Sequence, residues 1–255
     1  MIKPKKSLGQ HFLNDNSIAV DTAGLIEESS FDLIIEVGPG QGVLTKELYA
    51  KCKDRLLLIE KDDRCISLLK SKFPDTQILN IDFLKIEWSK IIGDNILVIG
   101  NYPYNISSQI IFKSLEARSR VKAIVGMFQK ELAERLASAP GSKKYGVISV
   151  FLQAFYKVEM QFDIAPDKFE PPPKVWSSVI KATRNNRIEI GCDEAAFRKV
   201  VKQSFQQRRK KLSNALKGFL VSHPEKEEIS KMPYFSKRAE ALSVEDYIEL
   251  TNILI

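Results

Sequence analysis

Short apolar runs alternate with amphipathic stretches through the first half of the chain. Leu33 to Val37, Arg55 to Glu60, Thr76 to Ile81, Ile96 to Gly100 and Lys122 to Phe128 are β-rich and of strand length. Between them, Gly42 to Lys51, Asp62 to Lys72 and Ser107 to Ala117 carry apolar residues at helical spacing with charges on the opposite face. Strands alternating with helices predict an α/β fold, a mostly parallel sheet covered by helices. Val147 to Phe162 and Val175 to Thr183 look like later strands running against the others, separated by the proline-rich Phe169 to Lys174, so the sheet is expected to end near Arg184. Past the polar stretch Asn185 to Asp193 the pattern is helical to the end, with turns near Gly218, Pro224 and Pro233. Two domains are expected: residues 1–185, and a small all-helical domain over 186–255.

The first strand runs into Glu36-Val37-Gly38-Pro39-Gly40-Gln41-Gly42, which opens a helix. Glycines in that setting let a ligand approach the backbone closely. Glu60 ends the next strand, where an acid can accept hydrogen bonds from ribose hydroxyls, and Asp82 follows the third. Both acids could equally be helix caps, and the glycines a tight turn. A nicotinamide dinucleotide and S-adenosylmethionine both use such a site. The spacing favours the second, because a dinucleotide fingerprint places its third glycine three residues after the second, where this chain has Val43.

Asn101-Tyr102-Pro103-Tyr104 directly follows the fourth strand, at the ligand edge of the sheet. The exocyclic amine of adenine is a poor nucleophile because its lone pair is delocalised into the ring. Two acceptors on its hydrogens, the Asn101 side-chain oxygen and a backbone carbonyl near Tyr102 or Pro103, would favour a pyramidal nitrogen with its lone pair aimed at a methyl donor. Pro103 fixes the turn that aims the carbonyl, and Tyr104 can stack on the base. The geometry requires an unpaired or flipped-out adenine.

Taken with these motifs, Lys5-Lys6-Ser7-Leu8-Gly9-Gln10-His11-Phe12-Leu13, Gln129-Lys130-Glu131, Tyr145-Gly146 and Phe169-Glu170-Pro171-Pro172-Pro173-Lys174-Val175 make the chain resemble the KsgA family of small-subunit rRNA adenine N6-dimethyltransferases. The resemblance implies a Rossmann-like S-adenosylmethionine methyltransferase domain followed by helices. It implies that His11, Leu13, Gly38, Gly40, Glu60, Asp82 and Asn101 meet the cofactor, with Glu60 on the ribose and Asp82 on the adenine. It further implies that Asn101, Pro103 and Tyr104 hold the target base and that Phe169 packs on its other face. The expected reaction is two methyl transfers to each of two adjacent adenosines near the 3′ end of 16S rRNA, within a pre-assembled 30S particle, by a cytoplasmic monomer that assists subunit maturation. Two positions depart from the usual pattern: His11 stands where many members have Asn, and Tyr102 where Leu or Ile is usual.

Charge agrees with an RNA partner. Lys and Arg outnumber Asp and Glu by 39 to 32, for a net charge of +7. The excess is local, since Phe197 to Lys217 holds eight Lys or Arg and no acid, including consecutive Arg208, Arg209, Lys210 and Lys211. These four, with Lys5 and Lys6, are the candidate phosphate contacts. Three scattered cysteines and two histidines suggest neither a disulfide framework nor a metal site, and no apolar run has signal-peptide or membrane-span character.

Other readings remain open from sequence. A large-subunit rRNA adenine methyltransferase of the macrolide-resistance type shares the glycine loop, the Asn-x-Pro-Tyr turn and the Phe-x-Pro-x-Pro-x-Val pattern. A ribosome-assembly factor that chiefly binds immature small subunits is a second possibility. A nicotinamide oxidoreductase leaves Asn101 to Tyr104 unexplained.

Overall fold

A computed structural model of the chain describes residues 2–221 and 223–255. Its strands are β1 (Phe12–Leu13), β2 (Leu33–Val37), β3 (Leu56–Glu60), β4 (Gln77–Asn80), β5 (Ile96–Asn101), β6 (Val121–Gln129), β7 (Tyr156–Ile164), β8 (Phe169–Glu170) and β9 (Ser177–Arg184). The longer helices are α1 (Asn16–Gly24), α2 (Val43–Cys52), α3 (Asp63–Lys72), α4 (Ser107–Glu116), α5 (Lys130–Ala137), α6 (Val147–Gln153), α7 (Glu194–Gln206), and, after three short helices α8 (Leu212–Ala215), α9 (Lys217–Val221) and α10 (Lys226–Ile229), α11 (Val244–Leu254). None of the described helices is long and apolar enough to cross a membrane.

Seven strands form one sheet in the order β4-β3-β2-β5-β6-β9-β7. Pairing is parallel from β4 through β6, and β9 runs antiparallel to β6, from Ala123 opposite Thr183 to Gln129 opposite Ser177. The inner strands are apolar without alternation because helices cover both faces; β3, for example, is buried at every position. The chain order reverses between β2 and β5. That is the switch point at which an open α/β sheet leaves a crevice beyond its carboxyl ends.

The two-residue strands β1 and β8 pair antiparallel, Phe12 with Glu170 and Leu13 with Phe169. The side chains of Phe12, Leu13 and Phe169 enter the core that Ala19, Ala23, Leu44, Val125 and Val179 share, while Glu170 faces solvent. Upstream of β1, the segment is tied down by Asp62, whose carboxylate meets Arg64 at 2.6 Å, Gln10 at 3.1 Å and Lys5 at 3.5 Å. The Arg64 guanidinium beside Asp62 holds that carboxyl well below the usual range.

The run expected as a strand over Val147 to Phe162 is two elements. Residues 147–153 form helix α6 after Gly146, whose N–H the Ser149 hydroxyl accepts at 3.0 Å, and the strand begins only at Tyr156. An unbroken apolar run has no period of its own, so packing decides: α6 is buried along Ile148 to Leu152, and Phe151 meets Phe197 of α7 at 6.0 Å between ring centroids. The chain divides into two compact units, Met1–Ala133 with Lys157–Arg184, and Glu134–Tyr156 with Asn185–Ile255. This differs from one cut after residue 185, because α6 belongs with the C-terminal helices it packs on. Tyr145 and Tyr247 are buried in that second unit, flanking Phe205 at 6.4 and 6.1 Å.

Candidate active site

The crevice at the switch point is lined by Gly9 to Leu13, Glu36 to Gln41, Ile59 to Lys61, Ile81 to Phe83 and Asn101 to Ile106. Four strand ends and the N-terminal segment therefore bring His11, Leu13, Gly38, Gly40, Glu60, Asp82, Asn101, Pro103 and Tyr104 to one cavity.

At the glycine loop the backbone turns through the left-handed region, with φ of 68° at Gly38 and 56° at Gly40. A Cβ on Gly40 would lie 2.9 Å from the Phe12 ring, so no larger residue fits between this loop and β1. The Gly40 N–H donates to Glu60 Oε2 at 3.1 Å, and the N–H groups of Lys61 and Asp62 donate to Oε1, each at 2.8 Å. Backbone donors thus fix the Glu60 carboxylate as an acceptor facing the cavity. Asp82 both lines the cavity and caps the next turn through Leu84 N–H at 3.0 Å. Burial alone would raise its carboxyl, but the Lys61 ammonium at 2.8 Å and the Leu84 N–H outweigh burial and keep it below its ordinary value.

Glu36 is 2% exposed and its Oε2 has no hydrogen-bond partner. Burial pushes its carboxyl up to about 8, and the charge on Glu60 adds to this; the Thr45 hydroxyl opposes it from short of hydrogen-bond geometry. A buried acceptor without a partner, a backbone cradle and two oriented carboxylates fit a cofactor that carries an ammonium group, a ribose and an adenine. Glu36, Gly38 and Gly40 would hold its amino-acid part, Glu60 the ribose and Asp82 the base.

Asn101 ends β5 beside this cradle. Its Nδ2 donates to the His11 carbonyl at 2.8 Å, which settles the amide orientation and leaves Oδ1 as the outward acceptor. The His11 ring stacks on Tyr104 at 5.3 Å and 22° and places Nδ1 2.6 Å from the Pro171 carbonyl. Tyr104 is held at its far end by Ser177, 2.5 Å between hydroxyl oxygens. The Pro103 carbonyl already accepts from Ile106 N–H at 3.1 Å and Ser107 Oγ at 2.9 Å.

Phe169 is placed differently from the expectation. It is 1% exposed, belongs to the hydrophobic core, and is absent from the cavity wall, because pairing of β8 with β1 draws its ring inward. The aromatic neighbour of Tyr104 is His11 instead. Among the basic candidates, Lys6, Arg209, Lys210 and Lys211 are exposed, Lys5 reaches Asp62, and the Arg208 guanidinium is committed to the Ser142 and Lys143 carbonyls and to Glu240 at 3.7 Å.

Tyr102 is a residue whose side-chain role sequence reasoning passed over. Its ring is 1% exposed, packs on Phe128 at 5.0 Å, and its hydroxyl lies 3.1 Å from the Val98 carbonyl and 3.0 Å from that of Val125. The ring occupies space left by two glycines paired across β5 and β6: a Cβ at Gly100 would come 3.1 Å from it, and one at Gly126 would overlap it. A lone glycine in the buried run Val121 to Gln129 was the available signal of this close approach. The phenol thereby ties the residue between Asn101 and Pro103 to β5 and β6.

The fold and this site define a Rossmann-like methyltransferase that uses S-adenosylmethionine. The chain belongs to the ribosomal RNA adenine dimethylase family, whose model matches residues 1–255. It is 48% identical, over 99% of its length and 94% of the relative's, to the ribosomal RNA small subunit methyltransferase A of Parabacteroides distasonis. Among solved structures it resembles a dimethyladenosine transferase from Plasmodium falciparum, with a TM-score of 0.80 and 25% identity over 94% of this chain and 96% of that one. The 23S rRNA methyltransferase ErmE shares the fold, with a TM-score of 0.70 and 23% identity over 95% of this chain and 99% of that one.

Two outcomes are expected from this geometry. Glu36 titrates near 4.5 when unfolded and near 8 in the folded, cofactor-free protein, so the folded state binds the extra proton between these values. The stability this group contributes should therefore be fully present below about pH 4.5 and be lost as pH rises to about 8. Glu36→Gln should flatten the decline of Tm with pH across that window, leaving the smaller slope due to Glu60; parallel Tm curves for the two proteins would contradict the burial argument. Gly126→Ala should displace the Tyr102 ring and cut turnover roughly tenfold or more, by the logic of positioning. Adding Tyr102→Leu should restore part of it, since the contact of the new Cβ with the Gly100 carbonyl at 2.8 Å remains. Steady-state rates of the single and double variants check this.

Proposed function

We propose that this protein methylates the N6 amine of adenosines in small-subunit rRNA, adding two methyl groups to each of two adjacent adenosines near the 3′ end of 16S rRNA. In this reading it acts in the cytoplasm as a monomer on a pre-assembled 30S particle and contributes to subunit maturation. The observation that carries the reading is the oriented Asn101 amide at the cofactor crevice. The small-subunit assignment is favoured over a large-subunit one by the name of the Parabacteroides relative, and dimethylation by that of the Plasmodium enzyme.

Asn101 Oδ1 accepts one hydrogen of the target amine. With the Pro103 carbonyl occupied by two donors, the Tyr102 carbonyl is the second acceptor, and together they draw the nitrogen lone pair out of conjugation with the ring. The bound cofactor would supply an electrophilic methyl on a positively charged sulfur, the S–CH3 bond breaking as N–CH3 forms so that the sulfur departs as a neutral thioether. Once alkylated, the nitrogen is cationic and strongly acidic, so its proton leaves to water without a dedicated base. Tyr104 stacks on the base through the face that His11 does not cover, because 5.3 Å between the two rings leaves no room for a purine. Phe169 supports the site from the core.

Mass spectrometry of nucleosides from unmodified small subunits, incubated with the protein and labelled cofactor, should yield N6,N6-dimethyladenosine. Asn101→Ala should lower the rate roughly a hundredfold, comparable to removing one oriented polar group from a reaction site, and weaken cofactor binding far less. Dimethyladenosine formed at a near-normal rate by that variant would overturn the role of the amide.

The exposed Arg209, Lys210 and Lys211 are the phosphate contacts of the helical unit, with Lys6 a further one on the first. Replacing those three by Ala should weaken RNA binding and reduce the slope of log affinity against log salt by roughly 2–3, with cofactor affinity unchanged. An unaltered salt slope would remove them from the interface.

A further inference from the structure

We propose that Trp176 is a stacking platform for the nucleotide that flanks the target adenosine, an inference that rests on the RNA-methylating function above. The indole is 51% exposed, and it adjoins Val175, 44% exposed, and the exposed Lys174. It is nonetheless firmly planted. The Trp176 carbonyl accepts the Lys130 N–H at 2.9 Å, extending the β6–β9 ladder one step beyond the pair Gln129 and Ser177. Lys130 Nζ lies 6.0 Å from the indole centroid while also bound to Asp163 at 2.5 Å, so an anchored cation fixes one side of the ring.

Position relative to the site sets which base it serves. The next residue, Ser177, holds the Tyr104 hydroxyl at 2.5 Å, and Ser178 turns to the other face, where its hydroxyl meets Asp163 at 2.6 Å. Trp176 shares the Ser178 side: Lys130, 6.0 Å from the indole centroid, is bound to the same Asp163 that the Ser178 hydroxyl meets. Trp176 precedes β9, whose first residue Ser177 pairs with Gln129 at the end of β6, on the sheet edge where the crevice opens, so the indole stands beside the segment that anchors Tyr104. Flipping the target out of its stack leaves the neighbouring base with a bare face, and a rigid exposed indole flanked by lysines replaces the lost partner. The other tryptophan, Trp88, cannot serve, since its indole N–H is bound to the Lys113 carbonyl at 2.9 Å beneath a T-shaped contact with Phe83.

The test compares wild type, Trp176→Ala and Trp176→Phe in methylation of unmodified small subunits and in binding a single-stranded RNA that carries 2-aminopurine next to an adenosine. Trp176→Ala should lower kcat/KM for the RNA roughly 5- to 100-fold, with cofactor affinity and Tm unchanged, and should abolish the 2-aminopurine quenching seen with wild type. Trp176→Phe should restore most of the rate. Rates for the alanine variant within about twofold of wild type, or a loss that phenylalanine does not repair, overturn the proposal. So does a loss on intact subunits with quenching unchanged on naked RNA, which would place a ribosomal protein on the indole. Failure of the underlying reading is distinct: wild type itself would then leave small-subunit adenosines unmethylated.

Discussion

A single hydrogen bond, from the Asn101 amide to the carbonyl of His11, sets which end of that amide faces the crevice. An amide has a donor end and an acceptor end, and only the acceptor can draw electron density back onto an amine nitrogen. With the donor end spent on a backbone oxygen, the acceptor is committed before any base arrives. That commitment depends on β1 staying in place, which depends in turn on its pairing with β8 and on the buried carboxylate of Asp62 gripping the residues before it. Preorganisation of this kind is where the rate is expected to come from.

Close backbone approach is the second recurring constraint. The glycine loop can lie against β1 because Gly40 has no side chain to meet Phe12, and the Tyr102 ring can pack within the Asn101 to Tyr104 turn because Gly100 and Gly126 leave the room. The tyrosine that departs from the family pattern is thus accommodated by space in the sheet rather than by expansion of the cavity. Its hydroxyl reaches two strand carbonyls, so the larger ring stays hydrogen-bonded in an otherwise apolar layer.

Much of this was legible in the sequence. The five parallel strands and the three helices between them announced themselves through period and length, and the acids and glycines through their place at strand ends. Val147 to Phe162 was misread because an apolar run that is buried all round carries no periodicity, and the partner that makes it a helix, α7, lies some forty residues later. The resemblance implies that Phe169 packs on the target base, whereas its ring lies in the core, for a similar reason. Only its pairing with Leu13, more than a hundred and fifty residues away, shows that the ring points to the core. The run of four basic residues read as one patch, yet Arg208 is held by carbonyls of a segment the sequence assigned elsewhere.

The chain passes between its two compact units after Ala133, after Tyr156 and again after Arg184. A gene truncated at the apparent boundary near residue 185 would therefore strand α6, buried from Ile148 to Leu152, without the helix that covers it. The helical unit is threaded into the sheet unit's connectivity rather than appended to it, so evolution or engineering could not exchange it as a C-terminal cassette without carrying an internal segment along.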